Sequence, residues 1–193
     1  MQSRARCSAL ERENANLRAA LAELERVAQR DTLTPLYNRR HFLSAINKKL
    51  SGLSLNEIGG AVVFMDVNQL KTINDKFGHA AGDLALMEIA SRLQCSIGDT
   101  EVAARIGGDE FGFLLDCTRL EDAKQRVRRL SDALTKTPTF HDGRLIALSA
   151  CFGVAMLRGG ESGVSILAEA DHNMYLAKHG SADHDKYYAN IMC

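Results

Sequence analysis

The chain has 193 residues, 46% of them hydrophobic and 25% charged, enough for one globular domain of ordinary size with some chain to spare. Lys plus Arg and Asp plus Glu number 24 each, so the formal net charge is zero and a nucleic-acid polymer, which needs a basic face, is not the expected partner. A small anionic ligand held by a local cluster or by metal ions stays possible. No run of about 18 apolar residues occurs, so no membrane segment is expected. The polar N-terminus does not read as a secretion signal. Five scattered cysteines (Cys7, Cys95, Cys117, Cys151, Cys193), without a C-x-x-C pair, read as reduced thiols of a cytoplasmic protein.

Residues 1–30 differ from the rest. Leu10, Leu17 and Leu24 recur seven apart, and Cys7, Asn14, Leu21 and Ala28 form a second series four residues on. These are the d and a positions of a heptad pattern, and a lone Asn at an a position favours a parallel two-stranded coil in one register. A single amphipathic helix packed on its own domain would show the same pattern. The expected division is an N-terminal coiled-coil helix, 1–30, and a folded domain, 31–193.

In "RDTLTPLYNRRHF" Asp31 and Thr32 suit a helix cap and Pro35 a first helical turn, which predicts a helix reaching about Leu50. "AVVFMD", 61–66, reads as a buried strand ending on an acid. A turn follows, then a helix from about Asp83 to Gln94 with Leu86, Ile89, Ala90 and Leu93 on its apolar face. "EVAARI" and "EFGFLL" form a hairpin. A helix over about 120–134 places Leu120, Ala123, Val127, Leu130 and Leu134 on one side. "LIALSACFGVAML", 145–157, reads as one strand with a bulge at Gly153. A last helix, about 162–178, ends at Gly180, and the tail "HDKYYANIMC" is expected to add an edge strand. No internal repeat or low-complexity segment interrupts this order. A central sheet covered by helices satisfies it.

The chemistry concentrates at "RIGGDEFGFLL", 105–115. Asp109 and Glu110 are adjacent at a glycine bend, where strict alternation of faces relaxes, so both carboxylates can approach one spot. Gly107 and Gly108 leave bare backbone for a ligand. Asp66 joins them if strand 61–66 neighbours the hairpin. Three close carboxylates repel one another and call for protons, basic side chains or divalent cations. Oxygen-only donors suit Mg²⁺ or Mn²⁺; a solvated acidic turn fits the same spacing. After Asp66 come Asn68, Lys71, Asn74, Asp75, His79 and Asp83. Lys71 could pair with phosphate, and Asn74 and Asp83 could read a base, since a carboxylate matches the paired donors of guanine. Taken singly, Lys71 is also a solvated lysine, His79 a loop histidine and Asp83 a helix N-cap.

"RIGGDEF" is the signature of the GGDEF domain, the diguanylate cyclase family. "DTLTPLYNRRHF", "FMDVNQLKTINDKFGHAAGD" and "ADHNMYLAKHG" resemble the family's other blocks in the correct order, from about residue 31 to 185. The resemblance implies an α/β (α+β) fold like the palm of nucleotide cyclases. It has a mostly antiparallel sheet of about five strands flanked by helices, preceded by the N-terminal helix. It implies condensation of two GTP into cyclic di-GMP and two pyrophosphates, with each 3′-hydroxyl attacking the other's α-phosphate across a homodimer of facing domains. By position, Asp66 and Asp109 would hold Mg²⁺ or Mn²⁺, two per half-site, with the Val67 carbonyl assisting. Glu110 would be a further metal ligand or the general base. Asn74 and Asp83 would contact guanine, with His79 in support. Lys71 and Lys178 would meet phosphates, and Gly107 and Gly108 would let the nucleotide lie on the hairpin. The coiled coil would hold two half-sites together and relay an upstream signal.

Two departures from the family pattern matter. Its R-x-x-D product site, five residues before the signature, reads "GDTE" here, Gly98 to Glu101, so product inhibition through it is not expected. The closing helix runs into "HGSADHD" without the usual arginine, which removes one phosphate contact. A domain that only binds GTP or acts as a scaffold, and a cyclase making a mixed dinucleotide, are the rival readings. The intact 107–111 signature with Asp66 disfavours the first, and Asp83 the second.

Overall fold

The structure, a computed structural model, describes residues 12–18, 20, 23–25 and 27–179. Contacts divide the chain into two units, Met1–Arg30 and Asp31–Cys193. The described residues of the first unit are helical up to residue 28 and expose Leu17, Leu24 and Val27. Cys7, Leu10 and Leu21 of the heptad pattern, Gly180 and the expected tail strand lie outside the described residues.

In the second unit, β2 (Ile58–Val67), β3 (Val102–Arg105), β4 (Glu110–Leu115) and β7 (Ala150–Arg158) join the short β1 (Tyr37–Asn38) in one sheet. Its order is β1-β3-β4-β2-β7. β1 runs parallel to β3 and every other pairing is antiparallel. β2 lies inside the sheet, between β4 and β7, and is fully apolar over 61–65 because both its faces are covered. Ala61, Val63, Met65 and Val67 pack beneath α2 (Leu70–Phe77), α3 (His79–Gln94) and α4 (Leu120–Lys136). Val62 and Phe64 pack beneath α1 (Arg39–Leu50) and α5 (Gly163–His179). The period of two along β2 therefore assigns Asp66 to the α1/α5 side.

The amphipathic stripe of α4 is buried as its spacing predicts, at Ala123, Val127, Leu130 and Leu134. Four expectations need correction. The first helix starts at Arg39, not near Pro35, because Asn38 is its cap and accepts from the His41 amide at 3.1 Å. Asp31 instead folds a turn, accepting from the Thr34 amide at 2.8 Å and the Thr34 hydroxyl at 2.7 Å. The segment before Asp83 is helical: α2 and α3 meet at Gly78, whose φ of 86° and ψ of 163° suit glycine alone. Asp83 thus lies inside α3 and is not its N-cap.

The strand expected over 145–157 is two elements. Arg144–Ile146 is β6, paired in its own hairpin with β5 (Thr139–His141). The turn between them is Asp142–Gly143, with φ of 48° and 71°, the positive pair that a two-residue hairpin favours. Gly153 marks no bulge; the register shift in this pairing lies at Ile58/Gly60. Gly153 is small because α5 crosses it, and a Cβ there would overlap the Ala170 carbonyl oxygen and the Met174 amide nitrogen. Backbone atoms cannot swing aside, so Gly153→Ala should cost about 3 kcal/mol, the upper end of ordinary overpacking. Equilibrium urea denaturation measures this, and an unchanged midpoint contradicts it. Of the cysteines expected to be reduced, Cys95 and Cys117 are free thiols, whereas Cys151 is disulfide-bonded, against that expectation.

Candidate active site

The acidic edge of the sheet is where β2 ends and the β3–β4 hairpin turns. Asp66 and Glu110 are direct register partners, so their side chains project to one face. The Val67 amide donates to the Asp109 carbonyl at 3.0 Å, which extends the pairing into the turn and ties Asp109 to the end of β2. Lys178, near the end of α5, donates to Asp66 Oδ1 at 2.5 Å. The structure thus brings Asp66, Val67, Asp109, Glu110 and Lys178 to one edge.

The hairpin is held by a residue that the sequence reading passed over. Arg105 donates to the Gly108 carbonyl through Nη2 at 2.7 Å and Nε at 3.2 Å, and reaches Asp31 Oδ1 through Nη1 at 3.3 Å. Burial pushes the Asp31 carboxyl up, but hydrogen bonds from Thr34 and the Arg105 cation outweigh it, and the net shift is downward. Asp31, expected as a helix cap, is therefore an anchor for the signature turn.

Glu110 leans back over Gly107, where a Cβ would overlap its carboxylate. Partial burial holds its pKa above the ordinary 4.5, and the charges of Asp109, Asp171 and Asp66 raise it further, against Arg39. Asp171 on α5 and Arg39 on α1 are neighbours of the site that the sequence reading did not single out; both stand in the quoted family blocks but fall outside the acidic signature.

The raised pKa has a consequence for stability. The unfolded chain releases this proton at lower pH than the folded one, so above 4.5 the folded state pays for an ionised Glu110 and stability falls as pH rises. Without divalent cations, Glu110→Gln should melt higher than the wild type, by a margin that widens as pH rises from 4.5 through the raised folded-state pKa and then levels off. Thermal melts in chelator check this, and a margin that narrows with pH contradicts it.

The remaining expected residues lie on α2 and α3, which pack on the opposite face of the sheet from α1 and α5. Lys71 is exposed in the first turn of α2. Asn74 is half-buried and its side-chain oxygen rests against Gly82, where a Cβ would collide with it. His79 opens α3 and Asp83 follows one turn later, both exposed. Gln69, which links β2 to α2, takes a left-handed conformation with φ of 57°. Gly108 is exposed at the turn. The site thus has two parts: carboxylates with Lys178 at the sheet edge, and a polar group on the α2–α3 pair.

Among the described residues no three His, Cys, Asp or Glu side chains converge as a ligand set for a metal ion. The donors present still fit a hard divalent cation. Asp66 and Glu110 offer oxygens only, from opposed positions. The Asp66 charge is already met by one cation, the Lys178 ammonium. Mg²⁺ commonly takes one or two carboxylates and completes its shell with water and substrate phosphate.

Residues 28–184 match the family model "Diguanylate cyclase, GGDEF domain". The diguanylate cyclase DgcN of Escherichia coli is 37% identical over 168 residues, covering 86% of this chain and 41% of that protein. TpbB of Pseudomonas aeruginosa is 33% identical over 171 residues, covering 88% and 39%. The chain thus spans about two fifths of these relatives' length. Among solved structures, the GGDEF domain of TpbB has a TM-score of 0.73 at 32% identity, covering 79% of this chain and 90% of that one. The coiled coil and GGDEF domain of DgcB from Caulobacter crescentus has a TM-score of 0.81 at 24% identity, covering 94% and 96%, a likeness of fold. A family model matched over most of the chain, the paired acids at the sheet edge and the sheet flanked by helices agree: this chain belongs to the GGDEF domain family of diguanylate cyclases.

Proposed function

We propose that the chain is a catalytic module that condenses two GTP into cyclic di-GMP with release of two pyrophosphates. The observation that carries this reading is the Asp66–Glu110 pair at the sheet edge, with Lys178 supplying positive charge to it. Asp66, Asp109 and Glu110, with the Val67 carbonyl, would hold Mg²⁺ or Mn²⁺. When bound, these ions neutralise phosphate charge and activate the attacking hydroxyl. Phosphoryl-type transfer asks a protein mostly for positioning and charge. Asp83 and Asn74 present the carboxylate and carboxamide that suit guanine, with His79 opening the helix that carries Asp83. Lys71 and Lys178 would meet phosphate oxygens, Lys178 leaving Asp66 to do so. Gly107 and Gly108 leave the turn open to the nucleotide, and Glu110 holds or accepts a proton at the carboxylate beside it.

One domain holds one GTP, so the reaction needs two domains face to face. The heptad pattern of residues 1–30 would supply that by pairing two chains, and the solved structure of DgcB, which shares this fold, comprises a coiled coil and a GGDEF domain. A shared coil raises the effective concentration of the half-sites. The test is to incubate pure protein with GTP, with ATP and with both, in the presence of Mg²⁺, and to weigh the products. Cyclic di-GMP from GTP alone is the expected result. A mixed dinucleotide overturns the guanine assignment, and no product from any mixture overturns the catalytic reading.

A further inference from the structure

We propose that Asn68 is a positioning residue that aims the Val67 carbonyl at the cation site; the inference rests on the cyclase reading above. The Val67 carbonyl and the Asn68 N–H belong to one peptide unit, and in a planar trans peptide these two groups point in opposite directions. The Asn68 amide donates to the Ser149 carbonyl at 2.9 Å, on the β7 side of β2. The Val67 carbonyl is therefore turned to the other side, where β4 and the signature turn lie. The Val67 amide agrees with that direction. In an extended strand a residue's N–H and C=O share a side, and this N–H donates to the Asp109 carbonyl at 3.0 Å.

One backbone bond holds that peptide loosely, because the chain reverses directly after it. Gln69 has a φ of 57°, a left-handed conformation that a residue with a side chain adopts at a cost, and relaxing it would swing the end of β2. The Asn68 side chain supplies a second hold. Its Nδ2 donates to Ser149 Oγ at 3.1 Å, so the backbone and side chain of Asn68 grip the backbone and side chain of a single residue. Its Oδ1 rests 3.2 Å from the Cys151 sulfur, two residues further along the same segment. Both ends of the carboxamide thus face β7 and neither is offered to a cation. Among the polar residues that follow Asp66, Asn68 works as a strut and not as a ligand. Asn68 and Ser149 are both half-buried, where a hydrogen bond is less exposed to competition from water. A strut on the peptide that carries a ligand oxygen acts on metal affinity as the outer partner of a ligand side chain does.

The experiment compares N68A, S149A, the double variant N68A/S149A and T72A in the full chain. Mn²⁺ is titrated in the presence of a GTP analogue whose α- and β-phosphates are joined by methylene, and free Mn²⁺ is read by electron paramagnetic resonance, so no turnover is needed. N68A and S149A should each weaken Mn²⁺ binding about 10–100-fold. The double variant should lose no more than either single one, because the two side chains make one contact. Thr72 is exposed on α2 and takes no part in the strut, so T72A should bind as the wild type does. With GTP, N68A and S149A should need correspondingly more Mg²⁺ for half-maximal rate. A contribution to folding alone would lower the melting temperature in chelator and leave the Mn²⁺ affinity of the folded chain where it was. Wild-type Mn²⁺ affinity in N68A or S149A, additive losses in the double variant, or an equal loss in T72A each overturns the proposal. If the wild-type chain makes no product while Mn²⁺ affinity falls only in the strut variants, the cyclase reading fails and the strut stands. If it makes cyclic di-GMP and N68A holds Mn²⁺ as tightly, the strut alone fails.

Discussion

Asp66→Asn should stop cyclic di-GMP formation, lowering kcat by at least about 10³-fold, more than the 10–100-fold that loss of an outer partner of a metal ligand costs. Asn keeps the shape of Asp and its place at the end of β2, so the six-residue register with β4 is undisturbed. What disappears is the anion. Lys178 loses its partner, and a divalent cation loses the ligand that the sheet positions most rigidly. The expected signature is therefore a dead enzyme with a normal melting curve. Initial rates and thermal melts on the same preparation measure both, and a variant that keeps more than a tenth of wild-type turnover contradicts this assignment.

Glu101→Ala should be the most destabilising exchange outside the sheet core. The Glu101 side chain is 4% exposed and works at both ends of the β3–β4 hairpin. Its Oε2 accepts from the Gly98 amide at 2.7 Å and its Oε1 from the Asp116 amide at 3.1 Å. Arg126 grips the same carboxylate with two nitrogens, at 3.1 and 2.7 Å, and donates also to the Ser96 carbonyl at 3.0 Å. Removing one partner of such a pair strands the other and leaves two backbone donors without their acceptor. Arg126 is 31% exposed and can turn to water, which softens the loss to about 3 kcal/mol. That corresponds to roughly 6–12 °C in Tm. Glu101→Gln should lose less. An unchanged melting temperature in the alanine variant contradicts the role of this clamp.

The clamp also accounts for a departure noted in the sequence. "GDTE" stands where many relatives carry an arginine and an aspartate for product binding. Gly98 offers no cation, and the Glu101 carboxylate is committed to Arg126 and two amides. Added cyclic di-GMP should accordingly leave initial rates unchanged by this route.

Much of this was legible from the residues. The apolar run 61–66, the glycine-bounded hairpin and the α4 stripe became the elements their spacing implies, because each is decided by local pattern and a covered face. The convergence of Asp66 with Glu110 followed from one condition, that β2 neighbours the hairpin, and the sheet meets it. Other features were hidden because their reasons lie far along the chain. Asp31 reads as a cap until Arg105, 74 residues away, is placed beside it. Gly153 reads as a bulge until α5 is laid across it. The β5–β6 hairpin has only three residues a side, too few for alternation to register, although Asp142–Gly143 was a usable turn signal. Arg39 and Asp171 gain meaning only when α1 and α5 close on one face.

The most direct test of the account is a crystal grown with Mn²⁺ and a non-reactive GTP analogue, with anomalous scattering used to locate the cation. The account predicts an anomalous peak within bonding distance of Asp66 and at least one of Asp109 and Glu110, with Lys178 moved from Asp66 onto phosphate. Nucleotide bound with no cation at Asp66, and Lys178 still paired to it, would contradict the claim that these acids are a metal site for phosphoryl chemistry.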